Sequence, residues 1–170
     1  DDYKFGKDEE LEFKVYKENK DYLAIPKMYG INKVGKPKVK FGSKNKAKIK
    51  FKGKLRDYQT KIVDTVLPKL KKDGGGLISI PPGRGKTVLA IYLAAKLKVK
   101  VLVLVHKTFL MEQWKERIEM FTDSSVGKIQ RDIIDVNGHD FVIVNVKKPS
   151  ELDNFLKPNF VYNAIAGLFL

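Results

Sequence analysis

The order of apolar and polar positions divides the first third of the chain into short extended segments. Alternation over Leu11–Tyr16 predicts a strand, and the apolar and aromatic residues of 22–31, around Pro26 and Gly30, predict a loop. Basic and apolar residues then alternate over 38–41 and 46–52, on either side of a Gly-Ser-Lys-Asn turn. This pattern predicts a β-hairpin with one lysine face, and an ordinary solvated strand face is the alternative.

From Leu55 onward the period of the apolar positions becomes helical. One helix is predicted up to Asp73, where Gly74-Gly75-Gly76 ends it, with an apolar stripe of Ile62, Val63, Val66, Leu67 and Leu70. The predicted elements after it are a strand at 77–80, a helix at 86–97, a strand at 99–105, a helix at 108–121 and a strand at 141–144. Strands that alternate with helices predict a parallel α/β sheet that binds its ligands at the carboxyl ends of the strands.

Composition limits the class of protein. A chain of 170 residues with 43% hydrophobic residues has room for one domain and a small appendage. Cysteine is absent, which excludes disulfides and thiolate metal sites and fits a reducing intracellular setting, without distinguishing nucleus, cytoplasm or viral factory. No apolar run approaches the roughly 18–20 residues of a membrane span, so no membrane partner is expected.

The net charge of +14 is concentrated in one segment. Twelve of the 34 basic residues and none of the 20 acidic residues lie between Tyr22 and Arg56, so this segment alone carries +12. A localised positive field of this kind indicates a polyanionic partner, with nucleic acid ahead of acidic lipid or protein.

A candidate phosphate-binding loop follows the strand predicted at 77–80. Its Pro-Pro-Gly-x-Gly-Lys-Thr sequence opens a helix, so that backbone N–H groups and the helix dipole would face a polyphosphate. Lys86 would reach the β- and γ-phosphates and Thr87 would hold Mg²⁺, although Ile80 stands where the usual template has glycine. A chance Gly-Lys-Thr at a tight turn is the alternative. The candidate nucleotide-binding residues are Pro82, Gly83, Arg84, Gly85, Lys86, Thr87 and Val88.

The segment Leu55-Arg56-Asp57-Tyr58-Gln59 lies 27 residues before this loop, counted from Gln59 to Lys86. It resembles the adenine-reading segment of superfamily-two helicases and translocases, and the loop resembles motif I of the same superfamily. The closest likeness is to the branch with type III restriction subunits, UvrB-like proteins and excision-repair helicases. The resemblance implies that Arg56 and Gln59 frame the adenine, and that ATP and Mg²⁺ are the ligands.

Two further segments are similar to this branch. Val101–Trp114 is similar to motif Ia, which implies that His106, Lys107 and Thr108 contact the backbone of a nucleic acid. The sequence Gly-Lys-Ile-Gln at 127–130 is similar to a turn that precedes a second nucleic-acid-contacting loop, a place that Asn145, Lys147 and Lys148 occupy. The usual Thr-x-Gln-Ser pattern of that second loop is absent. His139, next to Gly138 and Asp140, is expected in a surface turn.

The resemblance covers about residues 55–148 and implies a RecA-like P-loop NTPase sheet flanked by helices. It divides the chain into a small basic β-rich accessory segment, 1–54, and a partial RecA-like domain, 55–170. Asp153 is the last acidic residue, so the Asp-Glu box that holds Mg²⁺ and orients water does not follow. The chain is therefore expected to be a truncated or frame-disrupted first half of a helicase core, whose intact parent also has a second RecA-like domain.

These observations together predict the ATP-binding first half of a superfamily-two helicase or translocase, with DNA favoured over RNA. A non-catalytic nucleic-acid-binding module that keeps the RecA-like sheet is the alternative, and a metabolic P-loop kinase fits less well because of the adenine-reading segment and the basic hairpin. The candidate nucleic-acid-binding residues are Lys46, Lys48, Lys50, Lys52, His106, Lys107, Thr108 and Lys147.

Overall fold

A computed structural model describes residues 16–35, 47–146 and 163–166 of the chain. It divides into two compact units, Asp1–Lys40 and Phe41–Leu170, so the division falls before the boundary predicted at residue 54. The predicted strand over Leu11–Tyr16, except for Tyr16 itself, lies outside the described residues, as do the first arm of the predicted hairpin, Lys46, Lys147 and Lys148.

The described part of the first unit contains two very short strands and one helix. The strands β1 (Lys17–Glu18) and β2 (Leu23–Ala24) pair antiparallel, and the helix α1 spans Lys27–Val34. The predicted loop over 22–31 is therefore wrong. Pro26 is the N-cap residue of the helix, with φ −52° in the range that its ring fixes, and Gly35 is the C-cap residue with φ +101°.

The described residues of the second unit, 47–146 and 163–166, form a five-stranded sheet and three helices. The helices are α2 (Asp57–Asp73), α3 (Lys86–Leu97) and α4 (Thr108–Phe121), and the strands are β3 (Val101–Val105), β4 (Val126–Gln130), β5 (Ile133–Asp135), β6 (Phe141–Asn145) and β7 (Asn163–Ala166). The strand order is β5-β4-β6-β3-β7, parallel except for β5. The predicted α/β fold is confirmed, and α3 and α4 have their predicted bounds.

Strands β3 and β6 form the centre of the sheet and are buried on both faces. Alternate residues point to opposite sides, so Val101, Val103 and Val105 pack in a cluster with residues of α3 and α4, including Trp114. Leu102, with Val142 and Val144 of β6, belongs to a second cluster. This double burial explains why both strands consist almost entirely of apolar residues.

The strand predicted at 77–80 does not form. Ile78 and Ile80 instead pack against the cluster between α2 and α3, while Leu77 is 96% exposed. The edge of β3 that does not face β6 pairs with β7, whose register runs from Val101–Asn163 to Leu104–Ala166, so this place in the sheet is already filled. The predicted apolar stripe of α2 is confirmed, because all five of its residues belong to the same cluster.

The second arm of the predicted hairpin, residues 47–52, does not form a regular strand in this structure. It runs along the core, where the Ala47 N–H donates to the Lys98 carbonyl (3.1 Å) and the Lys52 N–H donates to the Phe121 carbonyl (2.9 Å). The ring of Phe51 stacks on that of Phe121 with centroids 5.6 Å apart. Within 47–52 the predicted alternation is confirmed, because the apolar residues are buried or half-buried and the lysines are exposed. The backbone of this arm bonds to the ends of two helices.

The predicted turn over 127–130 is also wrong, because these residues belong to β4. Here β4 pairs with β5, and a Cβ atom at Gly127 would lie 2.2 Å from the Asp135 carbonyl oxygen and 2.7 Å from the His139 ring. The ring of His139 hydrogen-bonds Ser125 (2.8 Å) and Asp135 (3.1 Å). Glycine at 127 thus allows the strands to pack closely. His139 directly follows the turn at residues 137–138, and each of its two ring nitrogens has a hydrogen-bond partner.

Candidate functional site

The candidate phosphate-binding loop is a turn that leads directly into helix α3. Gly83 and Gly85 both have φ +73°, in the left-handed region that glycine adopts without steric cost, and Gly85 is the N-cap of the helix. The first backbone N–H groups of a helix have no partner within it, and no acidic residue lies in the first turn of α3. The loop therefore leaves positive backbone groups at the helix end, a place that favours an anion.

The start of α2 holds this loop in place through Gln59, which is only 4% exposed. Its Nε2 atom donates to the carbonyl oxygens of Arg84 (3.2 Å) and Gly85 (3.4 Å). Its Oε1 atom accepts from the backbone N–H of Arg56 at 3.0 Å. The side-chain amide therefore lies against the loop backbone, and the adenine-reading role that the resemblance implies stays a prediction.

Tyr58 is a site residue that the sequence interpretation missed. Its hydroxyl donates to the Arg84 carbonyl (3.0 Å) and accepts from Arg56 Nη1 (3.4 Å). The guanidinium of Arg84 lies over the Tyr58 ring, 5.6 Å from its centroid. The one available signal was its place next to Gln59 at the helix start. Arg56 and Arg84, both exposed, thus meet at Tyr58.

The remaining loop residues fit a polyphosphate with Mg²⁺. Pro82 is exposed in the turn, and Lys86, Thr87 and Val88 form the half-buried first turn of α3. Lys86 is the first residue of the helix and has a positively charged ammonium group, and the hydroxyl of Thr87 lies in the same first turn. A cationic side chain, a hydroxyl and a helix N-terminus without acidic residues form the donor set that a Mg²⁺-polyphosphate requires.

A second group of candidate residues lies where β3 and β6 end side by side. Val105 and Asn145 are register partners, and the Val146 N–H donates to the Val105 carbonyl (2.8 Å). Asn145 Nδ2 donates to Thr108 Oγ1 at 3.2 Å, while Asn145 Oδ1 is buried and has no partner among the described residues. The structure thus brings Thr108 and Asn145 together, as expected for loops at neighbouring carboxyl ends of parallel strands.

His106 and Lys107 extend from the same end of the sheet. Both are exposed, and Lys107 is the N-cap of α4 with extended backbone, φ −130°. Phe109, in the first turn of α4, is also exposed. Only residues 98–100 connect α3 to β3, and Ile91 of α3 packs in the same cluster as the β3 residues. Helix α3 therefore runs antiparallel to β3, with its first turn near the carboxyl end of the strand. The phosphate-binding loop therefore lies towards the same end of the sheet as His106 and Lys107.

The basic stripe, which we define as Lys48, Lys50 and Lys52, consists of three exposed side chains that alternate with residues packed on the core. The ammonium group of Lys52 forms an ion pair with Asp123 at 2.5 Å, and both side chains remain largely exposed. An exposed pair of this kind contributes little to stability. The stripe therefore keeps a lysine-rich surface, with Lys52 already engaged by one carboxylate.

Within residues 16–35, 47–146 and 163–166, no cluster of three or more histidine, cysteine, aspartate or glutamate side chains is placed to hold a metal ion. No helix among these same residues is both long and apolar enough to cross a membrane.

Residues 52–159 match the family described as "Type III restriction enzyme, res subunit". The chain belongs to this family. It is a superfamily-two helicase N-terminal domain with a RecA-like fold, and the resemblance noted in the sequence is confirmed. The match covers both the phosphate-binding loop and the ends of β3 and β6.

Three curated relatives support the same family. The chain is 37% identical, over 83% of its length, to an Acanthamoeba polyphaga mimivirus protein with the provisional name ATP-dependent RNA helicase L396. It is 39% identical over 64% of its length to a protein of Invertebrate iridescent virus 6 provisionally named helicase 161L. It is 41% identical over 48% of its length to the DNA 3'-5' translocase XPB2 of Sulfurisphaera tokodaii. The aligned regions span 28%, 26% and 18% of these relatives.

Proposed function

We propose that this chain is the ATP-binding part of a nucleic-acid helicase or translocase. The observation that carries the proposal is the conformation of the loop at the start of α3. Gly83 and Gly85 shape this loop, and hydrogen bonds from Gln59 of α2 hold it. A loop whose backbone conformation is already fixed binds phosphate without first having to order itself. In the whole protein, ATP hydrolysis at this loop would drive movement along a nucleic-acid strand.

Each loop residue has a distinct part in this proposal. The first-turn N–H groups of α3 bind phosphate oxygens, Lys86 supplies a cation to the β- and γ-phosphates, and the Thr87 hydroxyl binds Mg²⁺. Bound Mg²⁺ would neutralise charge on the β- and γ-oxygens. Gln59 acts on the loop rather than on the phosphates, because its amide contacts the loop carbonyls.

The surface at the ends of β3 and β6 is the proposed nucleic-acid site. Lys107 and the exposed His106 supply donors to backbone phosphates, and Thr108 and Asn145 lie beside them, joined by a hydrogen bond. The phosphate-binding loop lies towards the same end of the sheet. Nucleotide binding at the loop can therefore alter the position of the proposed nucleic-acid contacts. We propose that the basic stripe contacts further phosphates of the same ligand. Lys147, which lies outside the described residues, stays a predicted contact of the same kind.

Binding of labelled oligonucleotides, with and without a non-hydrolysable ATP analogue and Mg²⁺, tests the proposal. We expect the oligonucleotide affinity to change when the analogue is bound, because the two sites are coupled. An affinity that depends steeply on salt but ignores the nucleotide would favour the alternative function, a nucleic-acid-binding module without nucleotide. The exposed lysines of the basic stripe are the observation that keeps this alternative open.

Matched DNA and RNA oligonucleotides should be compared in the same experiment. The names of the relatives include both nucleic acids: one is named an RNA helicase and another a DNA translocase. We propose DNA as the preferred strand. Tighter binding of the RNA oligonucleotide at equal length and salt would contradict that preference while leaving the helicase assignment intact.

A further inference from the structure

The basic stripe lies where helices α3 and α4 end. The Ala47 N–H donates to the carbonyl oxygen of Lys98, the C-cap residue of α3, at 3.1 Å. The Lys52 N–H donates to the carbonyl oxygen of Phe121, the last residue of α4, at 2.9 Å. A Cβ atom at Gly53 would lie 2.7 Å from the Phe121 ring, so the chain fits closely against α4 there. The backbone that carries the three lysines is therefore fixed across the ends of both helices.

The phosphate-binding loop and the proposed nucleic-acid contacts lie at the other ends of these two helices. Lys86 is the first residue of α3, and Lys107 is the N-cap residue of α4. Helix α3 has 12 residues and α4 has 14, so at about 1.5 Å per residue their two ends are about 18 and 21 Å apart. The stripe lies near the amino ends of the parallel strands, because Lys98 comes shortly before Val101 at the start of β3. A full helix length therefore separates the stripe from both sites.

Positive charge is spread unevenly along the stripe. Lys48 and Lys50 are exposed, and among residues 16–35, 47–146 and 163–166 no carboxylate forms an ion pair with either. Lys98, which is also exposed, adds a cation at the Lys48 end. Lys52 instead pairs with Asp123 at the carboxyl end of α4, where the helix dipole is negative and the last turn has no basic residue. The Lys48 end of the stripe is therefore the more favourable place for a phosphate.

We propose that Lys48 and Lys50 form a second binding site for the sugar–phosphate backbone of a nucleic acid, separate from the site at the ends of β3 and β6. Exposed residues that alternate along an extended segment are about 6.6 Å apart in one row, so their ammonium groups can pair with phosphates of one strand. The row contains only lysines and therefore binds without regard to base sequence. This inference rests on the proposed function, because it adds a second site for the same ligand.

The distance between the two sites determines which ligands can occupy both. In a stacked strand each nucleotide adds about 3.4 Å, so a hexamer spans about 20 Å and is too short to follow the surface from Lys107 to Lys50. A strand of about 30 nucleotides spans about 100 Å and reaches both sites. Once one site is filled, the second contact of the long strand is intramolecular and strengthens its binding. The stripe should therefore raise the affinity for the long strand without responding to a nucleotide at the distant loop.

Fluorescence anisotropy of the labelled long strand, measured over a series of salt concentrations, tests the second site. In Lys50→Ala, the slope of the logarithm of affinity against the logarithm of salt concentration should become shallower by about one. Lys52→Ala is the matched control. It removes the same charge from the same stripe, but Asp123 already pairs with that charge, so the slope should change by less than about 0.3. Asp123→Asn should make Lys52 available to a phosphate and steepen the slope by about one, unlike Glu119→Gln, which removes the same charge from the last turn of α4.

The response to nucleotide distinguishes the two sites. In the presence of a non-hydrolysable ATP analogue and Mg²⁺, Lys107→Ala should reduce the change in affinity that the analogue causes. The double variant Lys48→Ala with Lys50→Ala should keep that change within about twofold of its value in the unaltered chain. The same double variant should lower the ratio of long-strand to hexamer affinity by at least about tenfold, because the long strand loses its second contact.

Three results would overturn the second site. Equal changes of the salt slope in Lys50→Ala and Lys52→Ala would mean that net charge alone governs binding. An unchanged ratio of long-strand to hexamer affinity in the double variant would mean that the long strand does not use the stripe. Loss of the response to the ATP analogue in the double variant would mean that the stripe belongs to the nucleotide-coupled site. An unaltered chain whose affinity ignores the analogue would contradict the proposed function instead, and the comparison of Lys50→Ala with Lys52→Ala would still decide the second site.

Discussion

Gly85 and Gln59 are in such close contact that a Cβ atom at position 85 would lie 2.6 Å from Gln59 Nε2. The same amide donates to the Gly85 carbonyl, and Gly85 itself adopts φ +73°. Two independent reasons therefore favour glycine at position 85: its positive φ, and the closeness of the Gln59 amide, which leaves no room for a Cβ atom. This contact joins the start of α2 to the start of α3 across 26 residues of sequence.

Substitution of Gly85 by alanine should destabilise the chain more than the same change at Gly83. Both glycines have φ +73°, but a Cβ atom at Gly83 would meet no atom within 4 Å. Gly83→Ala should therefore lower the free energy of unfolding by about 1 kcal/mol, from the backbone conformation alone. Gly85→Ala should lower it by about 2–3 kcal/mol, because the Gln59 amide must also move. Urea unfolding of both variants measures the difference, and equal losses would refute the role of the contact.

A second glycine pair tests the packing of β4 and β5. In Gly127→Ala the new methyl group would lie 2.2 Å from the Asp135 carbonyl oxygen, so the strands must separate. We expect a loss of about 3 kcal/mol in the free energy of unfolding. Gly138→Ala is the control, since Gly138 has φ +79° with open space around it and should cost about 1 kcal/mol. A Gly127→Ala variant as stable as the control would show that the sheet adapts there.

Lys107 should contribute one phosphate contact to nucleic-acid binding. In Lys107→Ala, the slope of the logarithm of affinity against the logarithm of salt concentration should become shallower by about one. Lys69→Ala removes the same charge from the exposed face of α2 and is the matched control. The slopes are obtained from fluorescence anisotropy of a labelled oligonucleotide over a series of salt concentrations. If both variants shift the slope equally, net charge and not a specific contact at Lys107 governs binding.

Much of the fold could be predicted because its centre has simple patterns. The apolar runs of β3 and β6 and the helical stripe of α4 each follow one period, and the bounds of α3 and α4 match the prediction. The local pattern could not show that the strand predicted at 77–80 does not form. A short apolar run forms a strand only where a neighbouring strand has an unpaired edge, and the edge of β3 that does not face β6 is already paired with β7.

The site was predictable in its residue types but not in its contacts. Lys86 and Thr87 follow from a local motif, whereas the burial of Gln59 depends on the position of a loop 25 residues away. Tyr58 has no pattern of its own, because its role comes from one hydroxyl and one ring face that meet Arg84 in the folded chain. Similarly, the lysines of the basic stripe alternate as in a hairpin, yet the apolar residues between them pack on helix ends.

The binding of ATP to the unaltered chain and to Lys86→Ala is the most direct test of the proposed nucleotide site. Lys86 begins α3 at the phosphate-binding loop, and a charge-assisted hydrogen bond to phosphate contributes about 1.5–3 kcal/mol. We predict that calorimetric titration with ATP and Mg²⁺ shows binding to the unaltered chain, and an affinity lower by about 30-fold for Lys86→Ala with an unchanged circular dichroism spectrum. Equal affinity of the two proteins for ATP would contradict the assignment of the loop.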